Sequence, residues 1–198
     1  EIFSSQLRTN FLIKEKRYLI TTHDEKTWKF DRPVIFLGEW CRLYNRKHVW
    51  DGMDAVVAEP YGIEVSKRDS DFSKTELLEN KLFSEFIQLL NRHHGKQYSE
   101  RFWMIILGPW FKWVIKDLFY RINSLNKCLS SYEISGTTIY DNENYLLTPS
   151  TWDKAIQIDK DVWKLNLIYA KILNLLEIKN FRTELIPVKL NDTQQDFY

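Results

Sequence analysis

Val34-Ile35-Phe36-Leu37-Gly38-Glu39-Trp40-Cys41-Arg42-Leu43-Tyr44 is the stretch that decides how this chain is read. Four apolar β-formers stop at a glycine, and a carboxylate, an indole, a thiol and a guanidinium follow. A buried strand ending in Gly and a polar cluster is how open α/β sheets present a ligand crevice at their carboxyl ends. The pattern locates a site without naming its chemistry.

Outward from this run, Arg17 to Thr22 reads as a first strand ending in two hydroxyls and His23-Asp24. Pro33 opens the second strand, a position where proline is tolerated. Ala55 to Ala58 is a third strand, closed by Pro60 and Gly62. None alternates cleanly, as expected for strands covered on both faces. If the first two are parallel neighbours, Thr21, Thr22 and His23 share a sheet edge with Gly38, Glu39, Trp40 and Arg42.

After Gly38 a short helix is expected through Arg46, and residues 64–72 read as a charged loop. Ser73-Lys74-Thr75-Glu76 has the spacing of a capping box. The helix behind it carries Leu78, Leu82, Phe86, Leu89 and Leu90 on one face and stops at Gly95. Ser99 caps the next helix, in which Gly108-Pro109 predicts a kink or break near Leu107 and a second segment from Trp110 to about Leu129. Ile134 to Tyr140 is a fourth strand. Thr148-Pro149 opens a helix, and Asp159 or Asp161 starts the last long one, with Leu165, Ile168, Tyr169, Ile172, Leu175 and Leu176 on one face.

The expected organisation is an N-terminal arm over residues 1–16 and a Rossmann-like α/β domain over 17–180, a parallel sheet flanked by helices. Residues 181–198 read as a linker or the start of a further domain. The missing Met and the polar tail read as signs of a piece of a longer protein.

Lys and Arg total 28 against 27 Asp and Glu, a formal net charge of +1 that argues against a dedicated nucleic-acid binder. Eight Trp, ten Tyr and twelve Phe exceed what a small core needs, so part of them can serve as a stacking surface. Cys41 and Cys128 fit no zinc spacing and no disulfide framework, which favours a reducing, cytoplasmic setting. The apolar region Phe102 to Val114 is too short and too broken to span a bilayer, and a peripheral contact with a membrane stays open.

With six glycines, none within three residues of another, no phosphate-cradling glycine loop can be built, and no Gly-x-Ser-x-Gly elbow or metal-spaced His pair is present. Asp159-Lys160-Asp161 has an Asp-x-Asp spacing but lies at a helix start, so no metal site is expected. Glu39 is the first candidate acid, base or acceptor-orienting group; the competing reading is a carboxylate favoured at a helix N-terminus. Cys41 reads as a buried thiol. Arg101, Trp103 and Trp110 could grip an anion and a sugar face, or simply pack a proline-containing helix.

Tyr18-Leu19-Ile20-Thr21-Thr22, Glu25-Lys26-Thr27-Trp28 and Phe36-Leu37-Gly38-Glu39-Trp40-Cys41 together resemble the start of a transferase family of bacterial O-antigen and capsule loci. Arg101-Phe102-Trp103, Leu107-Gly108-Pro109-Trp110 and Asp161-Val162-Trp163 are similar at comparable spacing. The likeness extends to the N-terminal domain of retaining β-Kdo glycosyltransferases. It implies one half of a GT-B-type two-domain enzyme. The acceptor would bind on this half, and CMP-Kdo on a C-terminal domain that supplies the nucleophile.

The leading expectation is therefore a metal-independent glycosyltransferase of bacterial surface polysaccharide, acting at the inner face of the cytoplasmic membrane. Glu39 would orient or deprotonate the acceptor hydroxyl. Thr21, Thr22, His23, Trp40, Arg42, Arg101, Trp103 and Trp110 would hold an oligosaccharide or lipid-linked glycan. The alternative is a non-catalytic carbohydrate- or protein-binding module.

Overall fold

A computed structural model of the chain describes residues 16–141, 162–176, 178 and 181–187. Strands β1 (Arg17–Ile20), β2 (Val34–Phe36), β3 (Ala55–Val57), β4 (Ile134–Asp141) and β5 (Arg182–Pro187) form one sheet in the order β3-β2-β1-β4-β5. Every neighbouring pair is parallel. The fold is α/β, a five-stranded parallel sheet flanked by helices α1 (Lys47–Trp50), α2 (Val65–His94), α3 (Glu100–Ser131) and α4 (Val162–Leu175).

The chain steps from β1 to β2 to β3 in one direction, then returns through α2 and α3 to place β4 on the other side of β1. This reversal makes the carboxyl ends of β1 and β4 the topological switch point, where open parallel sheets bind ligands. β1 and β2 pair in register, Ile20 opposite Phe36, so the two polar clusters do share one sheet edge.

Tyr18, Leu19, Ile20, Val34, Ile35 and Phe36 are fully buried in a core completed by Leu125 and Cys128 of α3 and by Leu165, Tyr169 and Ile172 of α4. A second core lies between α2 and α3, where Phe83 and Ile87 meet Trp103 and Phe111. The two long helices thus pack on each other, and the other end of α3 seals the sheet.

Several expected boundaries move. The helix expected after Gly38 is a pair of tight 3₁₀ turns, Glu39–Cys41 and Tyr44–Arg46, ahead of the one-turn α1. Ser73-Lys74-Thr75-Glu76 caps nothing: α2 already starts at Val65, and the Ser73 hydroxyl donates to the Asp69 carbonyl one turn back. Inside a helix, a serine hydroxyl commonly bonds back to the preceding turn in this way. Pro109 does not divide α3, which is continuous from Glu100 to Ser131. Proline frees the carbonyl four residues back, and here both Ile105 and Pro109 lie on the exposed side of the helix.

Within the stretch 181–198, expected as a linker or the start of a further domain, residues 182–187 form the strand β5, paired with β4 from Gly136 to Asp141. Two expected helix signals hold. Ser99 Oγ accepts from the Phe102 amide, and Gly95 ends α2 with a φ of 61°, a left-handed conformation that glycine adopts without strain. Thr148-Pro149, Asp159 and Asp161 lie outside the described residues.

Candidate functional site

The site is built from the way β1 and β2 end. The carbonyl of Ile20 accepts from the Leu37 amide at 2.9 Å and from the Cys41 thiol at 3.4 Å. The next carbonyl, of Thr21, accepts from the Trp40 indole Nε1 at 3.1 Å, and that of Thr22 from the Trp28 indole at 3.0 Å. The 3₁₀ turn after Gly38 therefore folds back over the end of β1, where the ladder would otherwise leave buried carbonyls unpaired. Gly38 is required for space. A Cβ there would stand 2.1 Å from the Trp40 ring, which lies across the glycine.

β4 outruns β1: its last partner on that strand is Thr137, opposite Leu19. Beyond it, the Asn166 side chain of α4 takes over, accepting from the Tyr140 amide at 3.0 Å and donating to the Thr138 carbonyl at 3.1 Å. Asn166 is 0% exposed. The Tyr140 hydroxyl reaches across to the Asp24 carboxylate, tying the end of β4 to the loop after β1. Asn166 and Tyr140 thus close the switch point from within the protein.

Beside this seal lies a cavity of about 400 Å³, lined by His23, Trp40, Leu43, Asp117, Tyr120, Arg121, Leu165 and Tyr169. It draws on the β1 and β2 ends, on α3 and on the first half of α4. Three aromatic side chains face it, and the Trp40 and Tyr120 rings approach to 6.3 Å. Arg121, buried in the wall, donates to Asp117 at 2.6 Å and to the Tyr169 hydroxyl at 3.2 Å. Burial pushes the Tyr169 phenol up, against the lowering pull of the Arg121 cation, so it stays a neutral hydrogen-bonding group. His23 is half-buried, lines the cavity and makes no hydrogen bond to a described residue. An aromatic wall with a few convergent polar groups is the usual make-up of a small-molecule site.

His23 and Trp40 line the cavity together. Thr21 and Thr22 lie buried at the strand end, and the Thr21 hydroxyl has no hydrogen-bond partner among the described residues. Glu39 and Arg42 stand outside the lining: the carboxylate, 67% exposed, takes two 2.7 Å hydrogen bonds from the guanidinium. Those bonds hold the Glu39 carboxyl below its ordinary value. Arg42 also sits 5.0 Å from the Trp50 ring centroid. Arg101 is exposed at the far end of α3, while Trp103 and Trp110 belong to the second core, the Trp103 indole donating to Asn91.

The Cys41 thiol is pushed up to about 12 by burial, and Cys128 likewise, so neither is a thiolate nucleophile. Among the described residues no cluster of His, Cys, Asp and Glu could hold a metal ion.

Asn166, Asp117, Arg121 and Tyr169 do not stand out as site residues in the sequence. A lone carboxamide inside the apolar run Leu165–Ala170 is the available signal, because a buried amide must find partners. Asp117 and Arg121 sit four apart, the spacing of an ordinary surface pair, and only the fold buries the arginine.

No curated protein and no solved structure matches the chain. Among family models, the one described as LIC12162 family transferase matches residues 17–197. With nearly the whole sequence inside that match, the chain belongs to the LIC12162 family of transferases.

Proposed function

We propose that the chain is the acceptor-side α/β unit of a glycosyltransferase that builds bacterial surface polysaccharide in the cytoplasm. In this reading it is one half of a GT-B-type enzyme. The observation that carries the reading is the aromatic-walled cavity beside the switch point, of a size to take one or two sugar rings. Trp40 and Tyr120 offer faces to the apolar side of a pyranose. The Arg121–Asp117 pair and the Tyr169 hydroxyl offer polar edges to its hydroxyls.

In the reaction a hydroxyl oxygen of the acceptor bonds to the anomeric carbon of the donor sugar as that carbon's bond to its leaving group breaks, the leaving group taking the electron pair, and the hydroxyl must lose its proton. We assign that proton to His23, because Glu39 spends both oxygens on Arg42 outside the cavity lining. Glu39 then acts as the group that positions Arg42. The nucleotide-sugar donor, CMP-Kdo by resemblance, would be held by a second α/β domain across the cleft.

Titration of this chain with O-antigen or capsule oligosaccharide fragments, read by tryptophan fluorescence, tests the reading. A quench lost in Trp40→Phe and in Tyr169→Ala, with no response to CMP-Kdo alone, is the expected result. A quench that survives both substitutions would move the acceptor elsewhere.

A further inference from the structure

The outer end of the α2–α3 hairpin carries a surface that neither core uses. Trp103 and Phe111 of α3 face inward onto Phe83 and Ile87. On another side of α3, Phe102, Ile105, Ile106 and Pro109 recur at spacings of three and four and are all exposed, Ile105 at 72% and Ile106 at 53%. Residues so spaced form one stripe. Tyr98, in the turn between the helices, extends it, its ring stacked on Phe102 at 4.2 Å. Exposing two isoleucines side by side keeps apolar area in water, which a protein surface does seldom without a partner.

The charge around the stripe indicates what that partner is. Residues 91–113 contain Arg92, Lys96, Arg101 and Lys112 against the single acid Glu100, in a chain that is otherwise balanced. None of the four cations forms an ion pair with a described residue. An apolar stripe in a segment that also carries such exposed cations and aromatic rings is the composition of a helix that lies in a lipid interface.

We propose that this end of the hairpin docks on an anionic lipid surface. Phe102, Ile105 and Ile106 enter at headgroup depth, and the four cations meet lipid phosphates. A second copy of the chain is the poorer occupant, since it would set these cations against their own kind with one glutamate to answer them. No described helix is long and apolar enough to cross a membrane, so the contact is peripheral. Docking rests on the hairpin alone and stands or falls separately from the cavity's role.

Cosedimentation of the full chain with phosphatidylglycerol–phosphatidylcholine vesicles, compared with pure phosphatidylcholine, tests it. Binding to the anionic vesicles should be roughly ten-fold tighter or more, and should weaken as salt screens the cations. The double variant Ile105→Glu/Ile106→Glu should lose that binding while keeping its melting temperature, because both side chains are exposed. Arg101→Glu/Lys112→Glu should lose the preference for anionic lipid. Equal binding to neutral vesicles, no binding at all, or undiminished binding by the Ile105→Glu/Ile106→Glu variant would overturn the proposal. So would a concentration-dependent dimer, seen by sedimentation velocity without lipid, that the same variant abolishes.

Discussion

Replacing Asn166 with leucine keeps the branched shape and the number of side-chain heavy atoms and removes both hydrogen bonds that continue the sheet past the end of β1. The Tyr140 amide and the Thr138 carbonyl are then left in a buried setting without their partner. Each such group costs about 1–3 kcal/mol, and the leucine side chain recovers roughly 1 kcal/mol through better burial, for a net loss of about 1–5 kcal/mol. For a domain of this size that lowers the melting temperature by roughly 2–20 °C.

The substitution Asn166→Asp gives a pH signature that leucine cannot. An ionised carboxylate at this position accepts from the Tyr140 amide but cannot donate to the Thr138 carbonyl; only the protonated acid does both. The folded state therefore favours the proton, and the folded carboxyl titrates above the unfolded one, which lies at about 3.9. The sign follows: Asn166→Asp is least destabilised below pH ~4 and loses stability as pH rises through the unfolded and then the folded value. Urea unfolding at several pH values, with wild type and Asn166→Leu as references, measures this. An Asn166→Leu protein that unfolds within about 0.5 kcal/mol of wild type, a change typical of an ordinary surface site, would refute the role given to this amide.

Other consequences can be checked with the same protein. Gly38→Ala forces a methyl against the Trp40 ring and should cost about 1–3 kcal/mol by overpacking, with a change in tryptophan emission. A variant as stable as wild type with unchanged emission would mean that Trp40 does not lie on Gly38. Cys41 and Cys128 are both buried, so a thiol reagent should find neither in the native protein and both in denaturant. Fast labelling of native protein would contradict their placement. Glu184 is held below its ordinary 4.5, first by the Lys29 hydrogen bond. Wild type should therefore be more stable than Glu184→Gln above pH 4.5, and lose that advantage as pH falls through the lowered value. A stability difference unaffected by pH would mean that this ion pair contributes nothing.

How much of this is legible in the sequence follows from the range of the interactions. Val34 to Leu37 and Tyr18 to Ile20 announce themselves because continuous apolar runs are local, and their parallel pairing follows from covered faces. Gly38 and Trp40 are visible as residues, but their contact is not, since it depends on an indole folding back to the Thr21 carbonyl nineteen residues earlier. Ser73 misleads because capping-box spacing also occurs inside helices, and nothing nearby shows that α2 has already begun at Val65. β5 escapes notice because four of its six residues stay exposed at the sheet edge and Pro187 ends it, so it lacks the apolar signal of a central strand. The cavity wall is the least legible part. Asp117, Arg121 and Tyr169 come from helices whose long-range contacts alone decide that the arginine of a charged pair is buried.

The central proposal, that an acceptor hydroxyl loses its proton to His23 in the cavity beside the switch point, meets its most direct test in paired variants of the transferase. Transfer from CMP-Kdo to a surface-polysaccharide acceptor would be measured for wild type, His23→Gln and Glu39→Gln across pH. His23→Gln should lower kcat by about 10²–10⁴, the usual contribution of a general base. Glu39→Gln should stay within roughly ten-fold of wild type, as for a group that acts only by positioning Arg42. Full activity in His23→Gln with a collapse in Glu39→Gln would contradict this, and would return the proton to the carboxylate beside Trp40.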